Sequence, residues 1–132
     1  MNIIFRYSNF SQFKFLLLFA FSFLYFTPIV AEESLYDRGK ELIELKEYQK
    51  ALTAFELAAK AGNLDALTAL GVMHIGGIGV NQDNIKGYNY IKKAADKSDP
   101  KAQYTLGALY YLGAGVEKDY KKAFKWLNLS SE

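Results

Sequence analysis

Apolar positions between residues 64 and 112 follow one spacing written twice. Ala66, Leu70, Met73 and His74 stand at i, i+4, i+7 and i+8, and Ala102, Leu106, Leu109 and Tyr110 repeat the series. Such spacing gathers a stripe on one face of a helix, so it predicts helices over about 64–75 and 100–112. Asn63 and Asp99 precede them as good N-caps, and Pro100 takes the first helical position, where a missing N–H does no harm. A second amphipathic stretch follows each of these, at about 84–97 and 120–129, behind the capping candidates Asp83 and Asp119. Gly62 is placed to close the earliest second helix as a C-terminal glycine. Ser98 replaces it in the next copy, which predicts a less firmly set turn there.

The repetition extends well past the helix pattern. Leu70–Val80 reads LGVMHIGGIGV, and LGALYYLGAGV follows 36 residues later at Leu106–Val116. The same shift superposes Asp83 on Asp119, Tyr88 on Phe124, Tyr90 on Trp126 and Ile91 on Leu127. Shifting back instead brings Tyr48, Lys50, Phe55, Ala58 and Ala66 under Asn84, Lys86, Ile91, Ala94 and Ala102. Self-similarity at a fixed period marks stacked repeats, each too small to bury its own apolar face. The expected fold is all-α, a solenoid of about six helices.

Two kinds of glycine need different explanations. Gly71 and Gly107 fall inside helices, where glycine costs about 1 kcal/mol relative to alanine, so their recurrence points to a neighbouring helix in close approach. Gly77, Gly79, Gly113 and Gly115 lie between helices and are expected at positive φ. GGIGV is not read as a phosphate cradle, because no strand precedes it and no Lys-Ser/Thr follows. The first unit has nine residues from Gly39 to Tyr48 where later units have thirteen between the equivalent positions. It therefore lacks the glycine loop, and its helices should join tightly at Lys46-Glu47.

The pattern A-x3-LG-x2-[YH]-x2-G-x-GV-x2-D-[YN]-x-K-[AG], present twice, resembles the Sel-one-like repeat, a relative of the tetratricopeptide repeat. Residues 35–62, with Gly39, Tyr48, Ala51, Phe55 and Ala58, resemble an ordinary tetratricopeptide unit, and 64–99 and 100–132 the two Sel-one-like ones. The resemblance implies a right-handed α-solenoid that works as an adaptor between proteins. Gly87 for alanine, Asn84 for tyrosine and Ser130-Ser131 for Ala-Ala depart from the pattern. One secreted, cysteine-rich subgroup resembles β-lactamase-like enzymes. This chain has no cysteine, so that activity stands as an alternative without its characteristic residues. A piece of a longer repeat array is a third reading.

Composition changes the picture mainly at the N-terminus. Residues 1–14 carry Arg6 and Lys14 and no acid, Phe15–Phe26 is apolar apart from Ser22, and Ala31 precedes Glu32-Glu33. This reads as a secretory signal peptide over 1–31, ahead of a repeat domain at 32–132. An uncleaved anchor is the alternative, although Phe15–Val30 falls short of the roughly 20 residues that span a bilayer. The expected location is periplasmic or secreted, or membrane-anchored through Phe15–Val30 if uncleaved. The chain carries 16 basic and 14 acidic residues, and beyond the leader the charges balance. A neutral chain with no basic block lacks the footprint of a nucleic-acid binder.

No catalytic or metal constellation is visible, and no cofactor is expected. His74, the one histidine, occupies a packing slot that holds Tyr110 in the next copy, and no cysteine or second histidine is present to join it on a metal. Asp83 and Asp119 read as caps. The aromatic series Tyr48, Phe55, Tyr88, Tyr90, Tyr120, Phe124 and Trp126 is expected mostly as core between repeats. By resemblance to tetratricopeptide grooves, three residues per first helix face inward: Tyr36, Lys40 and Ile43, then Thr68, Val72 and Ile75, then Tyr104, Ala108 and Tyr111. An apolar wall with tyrosines suits an extended peptide or partner helix. Phe124, Trp126, Leu127 and Leu129 on the last helix are expected to leave apolar surface uncovered, a site for end-to-end self-association or for a partner.

Overall fold

A computed structural model of the chain describes residues 35–131, so the expected leader over 1–31 lies outside the described residues. Six helices follow one another: α1 (35–44), α2 (Tyr48–Lys60), α3 (Leu64–Gly76), α4 (Asn84–Ala95), α5 (Pro100–Leu112) and α6 (Tyr120–Leu129). No strand is present among the described residues. Consecutive helices pack on each other, and α3 also reaches α5, the first helix of the next unit. This is the all-α repeat solenoid that the periodicity predicts.

Every expected cap forms. The side chains of Asn63, Asp83, Asp99 and Asp119 accept hydrogen bonds from the backbone N–H groups of Ala66, Lys86, Ala102 and Lys122. Each satisfies one of the four N–H groups that a helix start leaves unpaired. The backbone N–H of Lys122 and its ammonium also hold the Asp119 carboxyl below its usual range. At the C-terminal ends of α3 and α5, Gly77 and Gly113 take the left-handed conformation, with φ of 63° and 73°. Ser98 adopts the same region at φ 64°, where Gly62 stands at 107°, so the turn keeps its shape without glycine. Lys46, at φ 59°, makes the tight α1–α2 join.

Within each unit one apolar side chain of the second helix presses onto the interior glycine of the first. Phe55 covers Gly39, Ile91 covers Gly71 and Leu127 covers Gly107. A Cβ at Gly107 would lie 2.8 Å from Leu127 Cγ and 3.1 Å from the Ala123 carbonyl oxygen. Gly87 has its own reason. Ile75 of α3 fills the space a side chain there would need, with Cγ1 2.5 Å from the Cβ position. The departure from alanine is thus filled by Ile75 of the facing helix.

The buried residues form two clusters. Leu42, Ala51, Phe55, Ala58, Ala66, Leu70 and Met73 join the first two units. Leu67, Ile91, Ala94, Ala95, Ala102, Leu106, Leu109, Tyr110 and Ala123 join the second and third. Ala59 and Tyr90 touch both. The aromatic residues divide. Phe55 is core, Tyr88 and Tyr90 are half-buried, but Tyr120 and Phe124 are 61% and 68% exposed, contrary to the expectation of core. For Phe124 the physical reason is positional: its match on α4, Tyr88, is covered by Tyr110 of α5, whereas Asn84, the match of Tyr120, is exposed as Tyr120 is. Trp126, Leu127 and Leu129 are half-buried, so of the four apolar residues expected to stand uncovered on α6 only Phe124 is exposed.

His74 is buried beneath Tyr90, their rings stacked 5.6 Å apart at 14°. Its Nδ1 has no hydrogen-bond partner among the described residues. Burial first, and then the Lys86 ammonium, lower its pKa from the usual 6.5, while Asp83 and Glu56 oppose them. Tyr110 in the equivalent slot instead shares a 2.9 Å hydrogen bond with the Tyr88 hydroxyl. Burial and that bond push the Tyr88 pKa up to about 12.

Two outcomes are expected. Gly107→Ala should destabilise by about 1–3 kcal/mol, the usual cost of overpacking, even though alanine favours a helix. Urea unfolding of the single and double variants with Leu127→Ala should show coupling, the penalty shrinking once the leucine is gone; strictly additive losses would refute the contact. For His74, the lowered folded pKa means the unfolded chain takes the proton first as the pH falls. Its stabilising contribution is therefore complete above about pH 6.5 and lost as the pH drops through the folded value. Native protein should weaken on acidification below about pH 6.5 more steeply than His74→Tyr, and parallel stability–pH curves would refute this.

Candidate functional site

The first helices α1 and α3, with Lys101 at the start of α5, surround a largely apolar cavity of about 260 Å³. Tyr36, Ile43, Thr68 and Val72 line it, four of the nine residues that sequence reasoning places on the inward wall. Phe55, Met73, Ala69 and Ile78 complete the apolar lining, and Asp65 and Lys101 supply its charges. The Tyr36 ring leans on Phe55 at 5.7 Å and 47°, which joins the cavity wall to the glycine–aromatic contact of the first unit.

The other five residues take different places. Lys40 is exposed, with its ammonium 5.0 Å from the Tyr36 ring centroid and 2.7 Å from Asp37. The hydrogen bond to Asp37 raises its pKa. Ile75 is half-buried and turned onto Gly87 of α4. Tyr104 is 62% exposed on α5, and Ala108 is half-buried one turn further along the same helix. Tyr111 lies against Tyr120 of α6, ring centroids 5.4 Å apart. The structure therefore assembles four of the six residues from the first two units into one cavity and leaves Lys40, Ile75 and those of α5 outside it.

The polar edge ties successive repeats together. Lys101 Nζ lies 2.8 Å from Asp65 Oδ1, a pair separated by one 36-residue period, and the hydrogen bond to Asp65 raises the lysine's pKa. The Thr68 hydroxyl donates to Asp99 Oδ2 at 3.5 Å. Neither pair is named by reading one unit alone. The available signal is opposite charge at the same repeat position in neighbouring copies. Phe55, Met73 and Ile78 are missed for another reason: each has a role in core or loop that hides its exposed edge.

A larger polar cavity of about 850 Å³ lies beside the first glycine loop, lined by Gln49, His74, Gly79, Gln82, Asp83 and Lys86 among others. Several of its polar groups hold the loop or cap a helix, while His74 Nδ1 has no hydrogen-bond partner among the described residues. The Gln49 amide donates to the Gly79 carbonyl, the Gln82 amide to the Ile75 carbonyl at 2.8 Å, and Asp83 caps α4. No group of three or more metal-binding side chains converges among the described residues.

Comparison with known proteins places these features. The model of the Sel1 repeat matches residues 33–63, 64–99 and 100–132, so it includes the unit whose short helix connection resembles an ordinary tetratricopeptide. An ERAD-associated E3 ubiquitin-protein ligase component of Arabidopsis thaliana is 37% identical over 79 residues, 59% of this chain and 12% of that protein. A Sel1-repeat-containing protein of Escherichia coli is 31% identical over 91 residues, 64% of this chain and 40% of its own length. Among solved structures, a Sel1 repeat protein from Oxalobacter formigenes gives a TM-score of 0.73 at 27% identity, covering 76% of this chain and 41% of that one. A protective antigen of uropathogenic Escherichia coli gives 0.72 at 33%, covering 76% and 22%. The chain thus spans less than half the length of each of these proteins. The match in all three units, which together span most of the sequence, makes this chain a member of the Sel1 repeat family.

Proposed function

We propose that the chain is an exported interaction adaptor, gripping an extended peptide or partner helix along the wall made by its first helices. The observation that carries this reading is the cavity of about 260 Å³ between α1 and α3, apolar inside and edged by Asp65 and Lys101. An apolar pocket with a few placed polar groups suits one anchoring side chain of a bound segment. Val72, 45% exposed on its wall, and Tyr104, 62% exposed beyond it, offer contact surface that the fold itself does not use. Chemistry-bearing side chains, by contrast, are engaged in structure: Asp83 and Asp119 cap helices, and His74 is stacked under Tyr90. That favours binding over catalysis. The Arabidopsis relative is named as a component of a ligase, which accords with a part in an assembly. Export rests on the basic, apolar and small-residue order of 1–31.

Two measurements test these points. Val72→Glu and Tyr104→Ala should each weaken binding of the captured partner by about 1–2 kcal/mol, within the range for truncated interface anchors, while thermal stability changes less. Equal loss of stability and binding would assign both residues to the fold and remove the groove. For export, mass spectrometry of the protein from an expressing bacterium should find a periplasmic or secreted species beginning at Glu32. An intact N-terminus on a cytoplasmic species would overturn it.

A further inference from the structure

The two glycine loops are closed in the same way and differ in the side chains that face them. The Asp83 N–H donates to the His74 carbonyl at 2.8 Å, and one period later the Asp119 N–H donates to the Tyr110 carbonyl at 2.9 Å. At the second loop the polar groups beside this closure find partners within the chain. Tyr110 shares its hydroxyl bond with Tyr88, and the Lys122 ammonium lies 3.5 Å from Asp119 Oδ2 and 5.4 Å from the Tyr110 ring centroid. At the first loop these partners are missing. Leu52 stands one period before Tyr88, so that position offers His74 no hydroxyl. His74 is only 5% exposed, and its Nδ1 is unpartnered among the described residues. Lys86, the counterpart of Lys122, is exposed and forms no ion pair with a described residue.

A buried polar atom left unpaired costs about 1–3 kcal/mol, so a partner from outside the chain would be favoured at His74. The polar cavity of about 850 Å³ counts His74 in its lining, and the rest of that lining selects the kind of partner. Asp83 and Lys86 are its two charged residues, of opposite sign, and Glu56 acts on His74 in the same direction as Asp83. No surplus of positive charge is there to hold an anion. The amide nitrogens of Gln49 and Gln82 already donate to chain carbonyls, which leaves their Oε1 atoms as acceptors. Asn81 is exposed and contributes an amide that both donates and accepts. Burial, and then Lys86, hold the imidazole below its usual pKa, so near neutral pH it too offers one donor and one acceptor. Such a set, without net charge, matches hydroxyl groups, which also do both. The second loop lacks it: Ile85, Tyr110, Glu117 and Lys118 stand where the first has Gln49, His74, Asn81 and Gln82.

We propose that the cavity beside the first glycine loop binds an uncharged saccharide, whose hydroxyls bond the His74 imidazole, the Asn81 amide and the Oε1 atoms of Gln49 and Gln82. The site is separate from the cavity between α1 and α3.

His74 is the one histidine of the chain, so its ring gives a single set of imidazole signals in the nuclear magnetic resonance spectrum of the isotope-labelled full chain. Titration with glucose, N-acetylglucosamine or maltose should move the His74 ring and Asn81 amide signals together and saturably for at least one of the three. Acetate and glycine at the same concentrations should not. Gln49→Ile with Asn81→Glu and Gln82→Lys gives the first loop the second loop's own side chains. That variant should stay folded and bind about tenfold more weakly or not at all, as expected from lost hydrogen bonds. Val72→Glu should leave saccharide binding unchanged, so the groove reading and this one fail separately. Stationary signals in all three saccharide titrations would overturn the proposal and leave solvent as the partner of Nδ1. Shifts with acetate or glycine alone would overturn it as well, assigning the cavity to a carboxylate. Full affinity in the folded triple variant would place the saccharide elsewhere.

Discussion

The contact between an interior helix glycine and one large apolar side chain sets the distance between the two helices of every unit. Gly39 under Phe55, Gly71 under Ile91 and Gly107 under Leu127 are the same contact three times over. A residue with a Cβ at any of them would force the pair apart. Because interiors are close-packed, such a shift would pass to the alanines around it. Ala51 and Ala58, Ala94 and Ala95, and Ala123 are buried at these joints. The intrinsic helix penalty of the glycines is therefore offset by packing that no alanine would permit.

Once the helix pairs are closed, stacking follows from what they leave uncovered. The side chains between units are mixed in character: Leu67 and Tyr110 with apolar partners, the Tyr88–Tyr110 hydroxyl pair, and the Lys101–Asp65 and Thr68–Asp99 contacts at the edge. Lys101 is an exposed surface cation, so its ion pair contributes little energy. Its effect is positional, since it brings a charged group of α5 to the mouth of a cavity otherwise made by α1 and α3. The glycine loops act similarly. Gly79 lies against Tyr48 and Gly115 against Asn84, so each loop rests on the start of the preceding second helix. Repeat joint and candidate binding surface are thus built from the same elements, and the binding edge inherits the repeat period.

Period, helix starts and the roles of the glycines were legible in the sequence because each is a local or strictly periodic property. Asn63, Asp83, Asp99 and Asp119 cap the helices they precede, since a cap involves only residues within one turn. Gly71 and Gly107 announced close approach because an unfavourable residue recurred at one period. Which residue fills the space was a tertiary matter. Ile75 was read as inward-facing by its position after Gly71, yet it turns onto Gly87, because only there does the missing Cβ leave room. Tyr111 occupies the same slot and instead lies on Tyr120, because alanine rather than glycine follows at 123. Exposure was decided the same way. Tyr88 and Phe124 are matched in sequence, but α5 covers one and leaves the other in water. A sequence repeats its pattern by copying residues, whereas burial depends on what stands on the far side, and that is fixed only when the units stack.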